Sequence, residues 1–230
     1  KELYPGTRSV DDGTLVRAFQ AVAELAKGRY PQALAMVHAE NWEVAWALAA
    51  QLQAQGRTDA AAWTDARPGW INEETMRRAI YLARQQDCPL YIVHCPIGTT
   101  ASIIAEGRAQ GANVHAETCP HYLTIYREHE RALYTKYNPS IQRQEDAEGL
   151  WQGLIDGLIS TLGSDHIPVR AKDKDASGKN IWTIRGGVPG SSSILPVLLT
   201  HGYHKRDMPL ERIVEVSSTN AAKLLGLYPR

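Results

Sequence analysis

The 230-residue chain is long enough to bury one large core, and its 43% hydrophobic and 22% charged content argues against a disordered polyelectrolyte. Lysine plus arginine balances aspartate plus glutamate at 25 each, so no net field recommends nucleic acid or an anionic membrane as partner. Cys88, Cys95 and Cys119 form no Cys-x-x-Cys pair, which speaks against a disulfide scaffold or zinc ribbon and suits a reducing cytoplasm; no apolar run approaches the roughly 20 residues that span a bilayer.

Asp11-Asp12-Gly13-Thr14 supplies capping residues ahead of Leu15, Val16, Phe19, Val22, Ala23 and Leu25, whose spacing predicts a helix over about 12–28, ended by Gly28 and Pro31. Ala33 to Val37 reads as a strand buried on both faces, and 42–55 as the next helix. A loop rich in Ala, Asp, Gly and Pro runs to Trp70. Asn72 is then expected to cap a helix reaching about Gln86, with Glu73 and Glu74 at its positive end. Asp87-Cys88-Pro89 breaks that helix before a strand over 90–93. A helix over 101–110 stops at Gly111, and a strand over 112–116, a helix over 145–154 and a fourth strand over 158–162 follow. Residues 167–187, with Lys172-Asp173-Lys174-Asp175 alternating in sign, form a long polar loop, either a solvated surface or a mobile lid. Helices are predicted over about 190–203, 209–216 and 219–225.

Strands alternating with helices through short connections predict an α/β fold with a parallel sheet and right-handed crossovers. Four strands supply roughly half of a (β/α)8 barrel, whose open edges another segment or another chain has to cover, unless the chain is itself a fragment. His38, His94 and Asp165 each stand at the C-terminal end of an apolar run, the edge where parallel α/β proteins assemble their chemistry. Imidazole and carboxylate suit zinc, manganese or iron, with hydrolysis of a polarised carbonyl as a natural use. His121 and His166 read as supporting groups beside that centre, His115 as packing or surface, and Cys95 as a buried, inert thiol. No glycine-rich phosphate cradle follows any strand.

Val10-Asp11-Asp12-Gly13-Thr14-Leu15, Val37-His38-Ala39-Glu40-Asn41, Tyr91-Ile92-Val93-His94, Glu117-Thr118-Cys119-Pro120-His121-Tyr122-Leu123, Gly163-Ser164-Asp165-His166 and Ser218-Thr219-Asn220-Ala221-Ala222-Lys223 together resemble the cyclic-amide hydrolases of the amidohydrolase superfamily: hydantoinase, dihydropyrimidinase, allantoinase and dihydroorotase. The resemblance implies a TIM barrel over 1–230 with two divalent metals, zinc foremost and manganese, cobalt or iron as alternatives. His38 and His94 would hold one metal and Asp165 the other, with a hydroxide between them and Asp165 as general base and acid. A carbamylated lysine bridges both metals in this family, and Lys1 is the candidate. Aligning Tyr4 with the family tyrosine instead puts that lysine two residues upstream, and a two-residue slide keeps the same strand face. Tyr4 would help stabilise the oxyanion. Asn138, in Tyr137-Asn138-Pro139-Ser140, would read the cyclic amide; its Asn-Pro is similar to dihydroorotases, where hydantoinases more often carry serine.

Gly186 stands before Gly187-Val188-Pro189-Gly190 where hydantoinases place an asparagine, so substrate contacts there would come from the backbone, as in allantoinase-like members. The family's His-x-His pair on the first barrel strand and its C-terminal β-sandwich segment are not in these 230 residues. The resemblance further implies a small cyclic amide substrate and a homotetramer. The alternative is a non-catalytic scaffold like the dihydropyrimidinase-related proteins, which the retained His38, His94 and Asp165 disfavour.

Overall fold

The computed structural model describes residues 2–4, 7–129 and 131–229; Lys1 lies outside the described residues, as does the side chain of Tyr4. Glu2–Tyr4 (β1) and Thr7–Arg8 (β2) pair antiparallel in a small hairpin that was not among the predicted elements. The Asp11 carboxylate accepts from the Thr14 amide at 2.7 Å and starts the helix Asp12–Lys27 (α1) where the capping residues foretold it.

Ala35–Val37 (β3), Leu90–Ile92 (β4), Val114–Thr118 (β5) and Thr161–Leu162 (β6) form one sheet in that order, every pair parallel. Trp42–Ala54 (α2), Ala60–Asp65 (α3) and Gly69–Gln85 (α4) connect the first two strands, and Thr100–Ala109 (α5) the next two. Pro120–Thr124 (α6) and Gln144–Ile155 (α7) lead to the last. Val37 is paired with Ile92, Ile92 with Ala116 and Glu117 with Thr161, so the carboxyl ends of all four strands gather on one edge.

Apolar alternation divides the sheet's faces. Leu90, Ile92, Val114 and Ala116 pack on Phe19, Met76, Ile80, Ile103 and Ile104 from the flanking helices. A second core joins Leu123, Leu150, Trp151 and Leu162 to Leu198, Met208 and Val216 of the C-terminal region.

Several boundaries differ from the sequence reading. Met36 is 59% exposed, so the first strand is not buried on both faces: it lies at the edge of the described sheet, with Met36 bordering a large open cavity. Asn72 does not cap a helix. Helix α4 begins four residues earlier, at Gly69 after Pro68, and the fully buried Asn72 carboxamide donates to the Ala39 carbonyl at 2.9 Å. Asp59 accepts from the Ala62 amide and turns part of the expected loop into α3. The third strand runs two residues later than predicted, because Gly111 and Ala112 close the end of α5 through backbone bonds to Arg108 and Gly107. Leu210–Val214, Glu215–Thr219 and Asn220–Leu224 follow without the expected break. The middle stretch is wound as a wider π turn, and Ser217 Oγ bonds back to the Ile213 carbonyl at 2.6 Å, which keeps Ser217-Ser218 helical. The long polar loop contains a short helix, Ala171–Asp175 (α8).

Candidate active site

His38 follows β3 and His94 follows β4 at neighbouring strand ends. His38 Nδ1 and His94 Nε2 face each other at 3.0 Å, with ring centroids 4.6 Å apart and planes at 70°. The other nitrogen of His38, Nε2, is 3.3 Å from Glu40 Oε2. Glu40 is buried, with Arg67 Nε 3.8 Å from its second oxygen, and the Arg67 guanidinium lies 3.5 Å over the Trp63 ring. In the tautomer that carries its proton on Nε2, His38 donates to Glu40 and directs its Nδ1 lone pair at His94.

His94 adopts a left-handed φ of 40°, uncommon for a residue with a side chain. Its amide donates to Glu117 Oε1 at 3.2 Å, and the next amide, that of Cys95, donates to the Glu117 carbonyl at 2.7 Å. Burial, followed by the neighbouring His38, holds the His94 imidazole down to about 3, so it is neutral at physiological pH. Asp165 has a similar φ of 42° after β6. Burial raises its carboxyl above the ordinary range while His38 pulls the other way.

His38, Asp165, Tyr137, Asn138 and Gly186 line a common open cavity of about 880 Å³, together with apolar Ile167 and Ile184. The structure thus brings His38, His94 and Asp165 to one edge, and Asn138 and Gly186 line the same cavity as Asp165. The steric demand for glycine falls on Gly187 rather than Gly186. Gly187 has φ +104° and a Cβ there would come within 2.6 Å of Ile167, whereas a Cβ on Gly186 would meet Lys136 at ordinary contact distance, its carbonyl at 3.5 Å and its Cγ at 4.0 Å.

His121 is buried and stacked on Tyr137, with centroids 3.8 Å apart and planes 8° from parallel; burial and then His94 hold it down to about 3. His166 Nδ1 accepts from the amides of Gly190 and Ser191 and so fixes the turn of the glycine-rich loop. His115 is half-buried against Ser160 Oγ. Cys95 is buried, and burial pushes its thiol well up, away from reactivity.

The sequence reading assigned no role to Glu40, Arg67, Glu117 or Lys136. Glu40 and Glu117 sit inside quoted motifs, and a carboxylate next to a strand-end histidine, or within an apolar strand, was the available signal.

Among the described residues, no group of three or more His, Cys, Asp or Glu side chains is gathered closely enough to hold a metal ion alone. The facing histidine nitrogens nevertheless fit as part of a ligand set. Two imidazoles sharing one tetrahedral zinc at about 2.0–2.1 Å stand roughly 3.3 Å apart, and here one ring is oriented by a buried carboxylate, as metal-binding histidines usually are.

A parallel sheet wrapped by helices, with its polar groups at the carboxyl edge, is the architecture of a partial TIM-type barrel. No family model matches the chain. It is 34% identical to an L-hydantoinase of Paenarthrobacter aurescens and 34% identical to an allantoinase of Rubrobacter xylanophilus, over 224 residues in each case, 96% of this chain and 48% of each relative. Its fold matches the solved L-hydantoinase (dihydropyrimidinase) of Arthrobacter aurescens with a TM-score of 0.91 at 33% identity, covering 100% of this chain and 50% of that one. For the dihydropyrimidinase of Brevibacillus agri the TM-score is 0.90 at 32% identity, over 98% and 49%. The chain is a homologue of the hydantoinase, dihydropyrimidinase and allantoinase group, as its motifs implied, and it spans about half the length of these relatives.

Proposed function

We propose that residues 1–230 contribute a barrel segment to a metal-dependent hydrolase that opens a cyclic amide of hydantoin, allantoin or dihydropyrimidine type. The observation that carries this reading is the 3.0 Å approach of His38 Nδ1 and His94 Nε2 at adjacent strand ends. In this reading His38, His94, Asp165 and a carbamylated Lys1 would hold a pair of divalent ions, His38 and His94 one and Asp165 the other; zinc is the first choice, then manganese, cobalt or iron. Bound metal would lower the pKa of a water and polarise the scissile carbonyl.

The chain's own groups do the rest. Asp165 takes the proton from the attacking water and delivers it to the departing ring nitrogen as the C–N bond breaks. Its position in the cavity that Asn138 and Gly186 also line supports that role. Asn138 and the backbone around Gly186 hold the amide in place, and the Tyr4 hydroxyl stabilises the oxyanion. Ile167 and Ile184 exclude water from one side of the ring. The product is the ring-opened carboxylate with a freed amine or amide nitrogen. Assembly as a homotetramer and a cytoplasmic location belong to the same reading.

The test is metal content by plasma mass spectrometry, on this chain and on one extended upstream, alongside hydrolysis of hydantoin, allantoin and dihydrouracil. About two metals per extended chain with ring opening of at least one substrate is the expected result. Absence of any transition metal from both would overturn the hydrolase and favour the scaffold.

A further inference from the structure

Glu117 stands near the end of β5, on the face opposite Val114 and Ala116, which pack into the helix-side core. Its carboxylate is held from more than one side. The Tyr91 hydroxyl of β4 reaches Oε2 at 2.9 Å and is itself 2.5 Å from Thr161 Oγ1 of β6. The His94 amide reaches Oε1 at 3.2 Å. On the remaining side lies Gly163, where a Cβ would overlap the carboxylate. The glycine two residues before Asp165 is thus the clearance that Glu117 occupies, which joins three otherwise separate motifs in one packing unit. A carboxylate accepting a backbone amide makes a charge-assisted bond, and here that bond falls on a residue whose left-handed backbone needs support.

We propose that Glu117 is a positioning residue: it holds His94 in the left-handed conformation that turns its imidazole toward His38, and so sets the affinity of the histidine pair for a divalent metal. The second half of this statement rests on the metal-centre reading above. The first half rests on geometry alone.

Glu117→Ala removes the acceptor. Glu117→Gln keeps an oxygen for the His94 amide and an NH2 for the Tyr91 hydroxyl. Gly163→Ala leaves the charge in the protein but pushes the far end of the Glu117 side chain aside, so it reports even where Glu117→Ala fails to fold. Two measurements are made on the chain and its variants: hydrogen exchange of the His94 amide in metal-free protein, and zinc affinity by competition with a chromophoric chelator. The expected result is loss of His94 amide protection in Glu117→Ala and Gly163→Ala, with protection retained in Glu117→Gln. Zinc should bind about 10–100-fold more weakly to the first two and within about threefold of wild type to the third. The double variant Glu117→Ala/Gly163→Ala should be no weaker than Glu117→Ala, because the alanine at 163 then has space. Wild-type protection of the His94 amide in both Glu117→Ala and Gly163→Ala would overturn the proposal, as would equal losses in Glu117→Ala and Glu117→Gln. The exchange readout needs no metal. A wild-type chain that binds no zinc yet shows the expected exchange pattern would reject the metal centre and uphold the positioning of His94.

Discussion

Replacing Lys136 by methionine keeps the aliphatic stem and removes a buried ammonium whose Nζ lies 4.1 Å from the Trp63 ring centroid. That Nζ donates at 2.7 Å to the carbonyls of both Ile181 and Ile184, and at 3.4 Å to that of Trp182. Stranding a buried carbonyl costs roughly 1–3 kcal/mol, so losing the two short bonds costs about 2–6 kcal/mol. Against this, burial, followed by the fields of Arg67 and Lys174, lowers the Lys136 amine from 10.5 to about 8. At neutral pH the charge therefore costs the folded state at most about 3 kcal/mol, which methionine recovers.

Because these contributions oppose each other, the net cost at neutral pH, with that charge cost fully recovered, runs from about −1 to about +3 kcal/mol, so the diagnostic quantity is the slope with pH. With a folded pKa below the unfolded one, the unfolded chain holds a proton that the folded chain has released between about pH 8 and 10.5, so stability rises with pH across that window. The wild type should gain up to about 2 kcal/mol from this group between roughly pH 8 and 9.5, and Lys136→Met should lose that gain. The buried thiols of Cys88, Cys95 and Cys119, all pushed up by burial, act in the opposite direction within the same window, and the raised hydroxyls of Tyr91 and Tyr137 do so at higher pH; these groups are common to wild type and variant, so the difference between the two slopes reports Lys136. The assay is urea denaturation at several pH values, followed by tryptophan fluorescence. Equal slopes for wild type and variant would refute the reasoning.

Glu40→Ala should weaken zinc binding about 10–100-fold by freeing the far nitrogen of His38, measured by calorimetry; an unchanged affinity would contradict the oriented-histidine account. Gly187→Ala combines a left-handed φ with the approach to Ile167 and should cost about 2–4 kcal/mol, read as a lower urea midpoint with unchanged m. Asn72→Ala leaves the buried Ala39 carbonyl without its donor and should cost about 1–3 kcal/mol in the same assay. Asp165→Asn should reduce ring opening about 10²–10⁴-fold with an unchanged circular dichroism spectrum, and a rate within a few-fold of wild type would remove Asp165 from the proton path.

The strand-end residues His38, His94 and Asp165 were legible because each ends an apolar run, and the parallel order of β3 to β6 carries such ends to one edge. The helices α1 and α5 were legible through caps and periodicity, which are local signals. What escaped was set by tertiary partners. Asn72 looks like a cap until the Ala39 carbonyl claims its carboxamide. Lys136 and Lys174 look like surface charges until backbone carbonyls, several for Lys136 and that of Tyr134 for Lys174, accept from them, and Arg67 until its guanidinium lies over an indole. Glu40 and Glu117 belong to recognisable motifs, yet their tasks depend on residues as distant in sequence as Arg67, His94 and Gly163.

The attachment of residues 167–187 carries an evolutionary consequence. Lys136 grips main-chain oxygens of Ile181, Trp182 and Ile184, and Lys174 grips the main-chain oxygen of Tyr134. Such anchors are blind to side-chain identity. Positions 184–186, which the segment presents to the cavity, can exchange side chains while these two fastenings stay intact, so new ring substituents can be sampled by point mutation there without first re-evolving the loop's seat.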